Sequence, residues 1–85
     1  MMATVEERVR AVTGRVLNID PETMKPSDNF AVDLGAESVQ SVELVAMFEE
    51  EFGIEMDEDG ALAVETLAGA IEFIAKACKE QGVDA

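Results

Sequence analysis

The chain has 85 residues, which is enough for one domain with a small core. Only 6 basic residues stand against 19 acidic ones, and the formal net charge is -13. Such a charge excludes most nucleic-acid binding and attachment to anionic membranes, and it favours partner proteins with basic surfaces. Because 48% of the residues are hydrophobic, we expect a folded chain, and its length predicts a single domain over residues 1–85. With no feature that indicates an oligomer, a monomer is the default expectation.

The cysteine content and the N-terminal segment indicate the compartment. The single cysteine, Cys78, cannot form an internal disulfide, and no Cys or His spacing is typical of a zinc site. The segment MMATVEERVR lacks the apolar core of a signal peptide, and no apolar run approaches the ~20 residues that span a bilayer. We therefore expect a soluble, cytoplasmic protein that does not insert into membranes.

The first predicted helix begins at a capping box, in which Thr4 precedes Glu7 by three residues. Valines at helical spacing predict its buried stripe: Val5, Val9, Val12 and Val16. The segment NIDPETMKPSDN then carries two prolines and several turn-forming residues, so it predicts a long loop. Three apolar residues after it are expected to pin the loop to the core: Phe30, Val32 and Leu34.

The second predicted helix runs from about Ser38 to Phe52 and is followed by Gly53. At ~100° per residue, one side of this helix faces the core and carries Leu44, Val45, Phe48 and Phe52, with Ser41 beside them. The opposite side presents Val39, Val42, Glu43, Ala46 and Glu50, with Glu49 at its margin. Apolar residues ringed by acids suit a transient protein interface, but scattered surface valines also occur without a function.

The remaining segments predict a bundle without strands. IEMDEDG forms an acidic turn, and residues 59–63 predict a short helical turn. Thr66 is the expected N-cap of a last helix that ends near Lys79. Its inward residues are expected to be Leu67, Ala70, Ile71 and Ile74. The fold class is therefore all-α, a small three- to four-helix bundle with a long loop between the first two helices.

Ser38 opens the second helix, and on the residues alone its simplest role is that of an N-cap. Catalysis by this serine is disfavoured, because the chain has no histidine and no G-x-S-x-G motif. A helix N-terminus nevertheless offers free N–H groups and the positive end of the helix dipole, which stabilise a phosphate. We therefore expect a protein that is not an enzyme, in which Ser38 suits a phosphodiester added by a partner enzyme.

The stretch DLGAESVQSVELVAMFEEEFGIEM resembles the acyl carrier proteins, whose pattern is D-L-G-x-D-S-L followed by an acidic helix. The likeness extends from Phe30 to Ile74. It implies a bundle of the acyl-carrier type with a 4′-phosphopantetheine arm on Ser38, attached from coenzyme A by a carrier-protein synthase. It also implies that the thiol of the arm holds acyl groups as thioesters. The implied partners are acyl-activating, condensing or acyltransferase enzymes of fatty-acid or specialised acyl and polyketide biosynthesis.

The same resemblance assigns the docking of basic partner surfaces to residues around the second helix: Glu37, Val39, Val42, Glu43, Ala46, Glu49, Glu50 and Met56. Two of these positions depart from the family pattern, with Glu37 in place of aspartate and Val39 in place of leucine. Both changes lie next to Ser38 and alter the shape of the surface there. They slightly favour a specialised carrier over the housekeeping carrier of fatty-acid synthesis.

Two alternative functions stay open. Calcium binding is suggested by Glu55, Asp57, Asp59 and Gly60, which match positions 1, 3, 5 and 6 of an EF-hand loop. However, position 12 of that loop requires a bidentate glutamate and is Thr66 in this chain, so we expect no metal site. The other alternative is an acidic interaction module that never acquires the arm.

Overall fold

Four α-helices follow one another in the computed structural model, which describes residues 4–84. They are α1 (Val5–Leu17), α2 (Ser38–Phe52), α3 (Glu58–Leu62) and α4 (Leu67–Glu80), and a 3-10 turn over Pro21–Thr23 lies in the loop between α1 and α2. Within the described residues, an isolated bridge between Asn29 and Thr66 is the only β-type pairing. None of these helices is long and apolar enough to cross a membrane. The predicted all-α bundle with a long first loop is confirmed.

The start of α1 follows the predicted capping box. Thr4 Oγ1 accepts a hydrogen bond from Glu7 N, and Glu7 Oε1 accepts one from Thr4 N, both at 3.1 Å. These bonds satisfy two donors that a helix start otherwise leaves free. The stripe also lies inward as predicted: Val9 and Val12 are fully buried, and Val5 and Val16 are partly buried against the core.

The core forms where α1, α2 and α4 meet. Six of the predicted inward residues are buried: Leu44, Phe48 and Phe52 on α2 and Leu67, Ala70 and Ile74 on α4. Val45 and Ile71, also predicted to face inward, are partly buried. The long loop contributes one further buried side chain, Met24, which is 3% exposed. The burial of Met24 could not be predicted from the sequence, because a single apolar residue in a polar loop has no periodic neighbours that would mark it as buried.

The expectation that Val32 pins the loop to the core is wrong. Phe30 and Leu34 do pack against the core, but Val32 is 81% exposed. The cause is local, since Asn29 Oδ1 accepts hydrogen bonds from the N–H groups of Ala31 and Val32, both at 2.9 Å. This side chain–backbone turn places Val32 at its tip, in solvent.

Arg8 of α1 holds the C-terminal end of α2. Its guanidinium donates to the Glu51 carboxylate at 2.9 Å and to the Glu51 carbonyl oxygen at 2.7 Å. It also lies 4.3 Å from the centroid of the Phe52 ring, at cation–π distance. No basic residue lies between Lys25 and Lys76, the segment that contains Glu51. Glu51 therefore gains this counter-charge only because α1 packs on α2.

Candidate functional site

Ser38 is the first helical residue of α2, so its interpretation as an N-cap is wrong. The N-cap is Glu37, with extended backbone angles of φ -86° and ψ 165°. Oε1 of Gln40 accepts a hydrogen bond from Glu37 N at 2.9 Å and so supplies a cap at this end. The Ser38 side chain is exposed to solvent. A partner enzyme can therefore reach its hydroxyl without breaking a cap.

The turn that leads into α2 is fixed by its backbone. Gly35 has a φ of +73°, a conformation that side-chain-bearing residues rarely adopt. Ala36 is buried, and its N–H donates to the Phe30 carbonyl oxygen at 2.7 Å. These features hold the chain against the core immediately before the helix begins. The serine is thus delivered to a defined position at the end of the bundle.

After the N-cap Glu37, the first turn of α2 carries no carboxylate. The first turn of α4 also lacks acids, whereas acids occupy the first turns of α1 and α3. The N–H groups of Ser38 and Val39 have no carbonyl one turn earlier in the helix to bond with. Free N–H groups and the positive end of the helix dipole stabilise a phosphate at this position. The residues present therefore fit a phosphodiester attached to Ser38.

Five of the predicted docking residues lie on the exposed side of the second helix, which we call the α2 face: Val39, Val42, Glu43, Ala46 and Glu50. A sixth, Glu37, is exposed at the N-cap of the helix. Val39 is 73% exposed and Val42 is 49% exposed, and both lie among acidic residues. The exposed side of the helix therefore agrees with the helical wheel, while the docking role of the face stays a prediction.

The other two predicted docking residues, Glu49 and Met56, contact each other. Glu49 Oε2 accepts a hydrogen bond from Met56 N at 2.9 Å, and both residues are partly buried. The Met56 side chain packs against the core. The Glu49 carboxylate thus holds the connection between α2 and α3, so a substitution there would alter stability as well as surface charge. Glu43 and Glu50 on the α2 face are therefore the better positions for a charge test.

An apolar cavity of about 50 Å³ lies between α2, α3 and α4. Ser41, one turn after Ser38, and Met56 lie in its wall. Most of the lining is apolar and includes Phe30, Leu44, Phe48, Leu62, Phe73 and Ile74. The volume is about a third of the ~150 Å³ that holds benzene, so the cavity suits the end of a short apolar chain. The cavity could not be predicted from the sequence, because its walls come from separate segments of the chain.

The geometry of the acidic segment after α2 opposes the EF-hand alternative. Residues Glu58–Leu62 form α3, where an EF-hand would need an irregular ligand loop. The Asp57 carboxylate caps this helix by accepting a hydrogen bond from Gly60 N at 3.1 Å. No group of three or more Asp, Glu, Cys or His residues within positions 4–84 is arranged to hold a metal ion. The spacing of these acids therefore reflects a helix cap.

Comparison with known proteins agrees with this geometry. The family model described as "Phosphopantetheine attachment site" matches residues 7–74. The acyl carrier protein of Sinorhizobium fredii and the acyl carrier protein AcpP of Rhizobium meliloti are each 42% identical to this chain over 76 residues, which cover 89% of it and 97% of theirs. A solved structure described as a "putative acyl carrier protein" from Mycobacterium tuberculosis has a TM-score of 0.80 and 25% identity, over 86% of this chain and 97% of that one. The chain belongs to the acyl carrier protein family, whose characteristic group is phosphopantetheine.

Proposed function

We propose that this protein carries acyl groups on a 4′-phosphopantetheine arm attached to Ser38 and presents them to partner enzymes. The observation that supports this most strongly is the exposed serine at the start of α2, directly after the N-cap Glu37 and inside the matched family segment. When bound, the arm supplies a thiol that holds acyl groups as thioesters. The protein itself supplies the attachment oxygen, the helix end and the docking surface.

The surroundings of Ser38 support a carrier rather than an enzyme. Deprotonation of a serine hydroxyl needs a base within hydrogen-bond reach, and histidine, the commonest such base, does not occur in the chain. The synthase must therefore bring its own base to the Ser38 hydroxyl and the arm from coenzyme A. Once the arm is attached, the N–H groups of Ser38 and Val39 stabilise its phosphate.

The cavity supports acyl cargo. Its lining is mainly aromatic and aliphatic, and a charged or amino-bearing group would lose its hydration there without a matching partner. Because Ser41, one turn after Ser38, lies in the wall of the cavity, the end of a short acyl chain can be sheltered near the attachment point. The pathway is fatty-acid or specialised acyl biosynthesis, and the departures at Glu37 and Val39 favour a specialised one.

Attachment of the arm tests the proposal. The wild-type protein, incubated with coenzyme A, magnesium and a broad-specificity carrier-protein synthase, should gain the mass of one phosphopantetheine. Intact mass is the suitable measurement, because Cys78 adds a second thiol and would confuse thiol counting. Burial raises the pKa of that thiol, so it stays protonated and unreactive. An unchanged mass would overturn the proposal and favour the alternative function, an acidic interaction module that never acquires the arm.

Charge reversal on the α2 face should slow arm attachment. Glu43→Lys or Glu50→Lys removes attraction to a basic partner and adds local repulsion, so we expect the modification rate to fall about tenfold at low salt. The loss should shrink at high salt, because exposed charges are screened. Both side chains are exposed, so the free energy of unfolding should change by less than ~0.5 kcal/mol.

Glu72→Lys is the matched control for this experiment. It makes the same change in net charge, and Glu72 is an exposed residue of α4. Glu6 is less suitable, because its carboxylate lies 3.0 Å from a guanidinium nitrogen of Arg10. A loss in Glu72→Lys as large as that in Glu43→Lys would mean that only net charge matters and that the α2 face has no special role.

A further inference from the structure

We propose that Val32, at the tip of the turn before α2, is a second apolar contact for the enzyme that attaches the arm to Ser38. This inference rests on the proposed function, since it names a further contact of that partner. At 81% exposure, Val32 is more exposed than the valines of the α2 face. Neither the helical wheel nor the family resemblance assigned it a role.

The turn that carries Val32 is organised before any partner arrives. Asn29 Oδ1 accepts hydrogen bonds from the N–H groups of Ala31 and Val32, both at 2.9 Å. Asp33 closes the other side, with Oδ2 accepting from Asn29 N at 2.7 Å and its own N–H donating to the Asn29 carbonyl at 2.8 Å. Valine itself is stiff at its single side-chain torsion. Covering Val32 therefore costs little conformational entropy, as a binding contact requires.

Val32 lies near enough to Ser38 to be covered by the same partner. The hydrogen bond from Ala36 N to the Phe30 carbonyl oxygen, at 2.7 Å, closes the turn two residues before Ser38. With at most ~3.6 Å of chain per residue, the path from Val32 across this bond to Ser38 is no longer than about 20 Å. A partner footprint of ~800 Å² is roughly 30 Å across. One footprint can therefore include Ser38, the start of the α2 face and Val32.

Arm attachment favours the synthase as the occupant. That reaction takes place at the Ser38 hydroxyl, so the synthase must approach the backbone around the start of α2. Enzymes that act on cargo at the far end of an arm do not need this approach. Asp33, the next residue on the same turn, is an exposed acid, and the exposed Glu37 lies at the helix start, so the surface from Val32 to Ser38 carries negative charge. The complementary surface is an apolar pocket flanked by basic residues.

Steady-state kinetics of arm attachment, followed by intact mass, test this contact. Val32→Asp should lower the catalytic efficiency of the synthase for the carrier about tenfold, mainly through a higher KM, because a charge replaces an apolar contact. Val32→Thr keeps the branched shape and should give a smaller loss, so the contact can be tested even if the aspartate variant is poorly folded. Ala75→Asp, at an exposed position of α4, makes the same charge change and should match the wild type.

The outcomes separate this inference from the proposed function. If the wild type gains the arm while both Val32 variants react at the wild-type rate, Val32 makes no contact and the carrier function stands. An equal loss in Ala75→Asp would show that an added aspartate slows the reaction wherever it lies on the surface, and would overturn the inference. Sedimentation adds a further check, since self-association of the wild type that Val32→Asp abolishes would make a second copy the occupant. A wild type that gains no arm overturns both proposals.

Discussion

Ser38→Ala should gain no arm under conditions in which the wild type gains one. The reason is position, since Ser38 places its hydroxyl in solvent at the first residue of α2, beside free N–H groups. The Ser41 hydroxyl instead lies one turn into the helix and donates to the Glu37 carbonyl oxygen at 3.3 Å. Intact mass after incubation with the synthase measures the difference.

Ser41→Ala and Ser27→Ala are the matched controls, and each should still gain one arm. The folded state of Ser38→Ala provides a second check. A serine N-cap replaced by alanine typically costs ~1 kcal/mol, whereas an exposed first helical residue should cost less than ~0.5 kcal/mol. An arm on Ser38→Ala would place the attachment elsewhere. A loss of ~1 kcal/mol in the free energy of unfolding of Ser38→Ala would show that the Ser38 hydroxyl does cap α2.

Leu67→Ala should cost about 2–5 kcal/mol of unfolding free energy, roughly a 30- to 4000-fold change in the folding equilibrium. Leu67 is 0% exposed at the start of α4, so its removal deletes buried methyl groups and leaves a cavity in the core. Small domains have only ~5–15 kcal/mol in total, so much of the stability would be lost. Urea unfolding with linear extrapolation measures the change.

Leu62→Ala makes the same chemical change at a site that is 41% exposed, at the end of α3. It should cost less than Leu67→Ala, about 1–2 kcal/mol, because only part of the Leu62 side chain is buried, in the wall of the apolar cavity. The pair therefore separates burial from the intrinsic effect of replacing leucine with alanine in a helix. Equal losses at the two positions would contradict the assignment of Leu67 to the core.

Helices and their buried faces could be predicted because the signals for them are local. A capping box uses two residues three positions apart, as at Thr4 and Glu7, and a helical face repeats every three or four residues, as at Val9 and Val12. The predicted start of α2 near Ser38 followed from the same kind of signal, although the N-cap is Glu37 and not Ser38. The motif around Ser38 also indicated the family, which comparison with known proteins confirmed.

Features that join distant parts of the chain were decided only by the tertiary structure. Three consecutive acids have three different environments. Glu49 accepts a hydrogen bond from the backbone of the next loop, and Glu50 faces solvent. Glu51 pairs with Arg8, 43 residues away in the sequence. The cavity likewise needs the first loop, α2, α3 and α4 together. A periodic pattern tells which side of one helix is apolar, but the relative placement of helices and loops decides which neighbour each side chain meets.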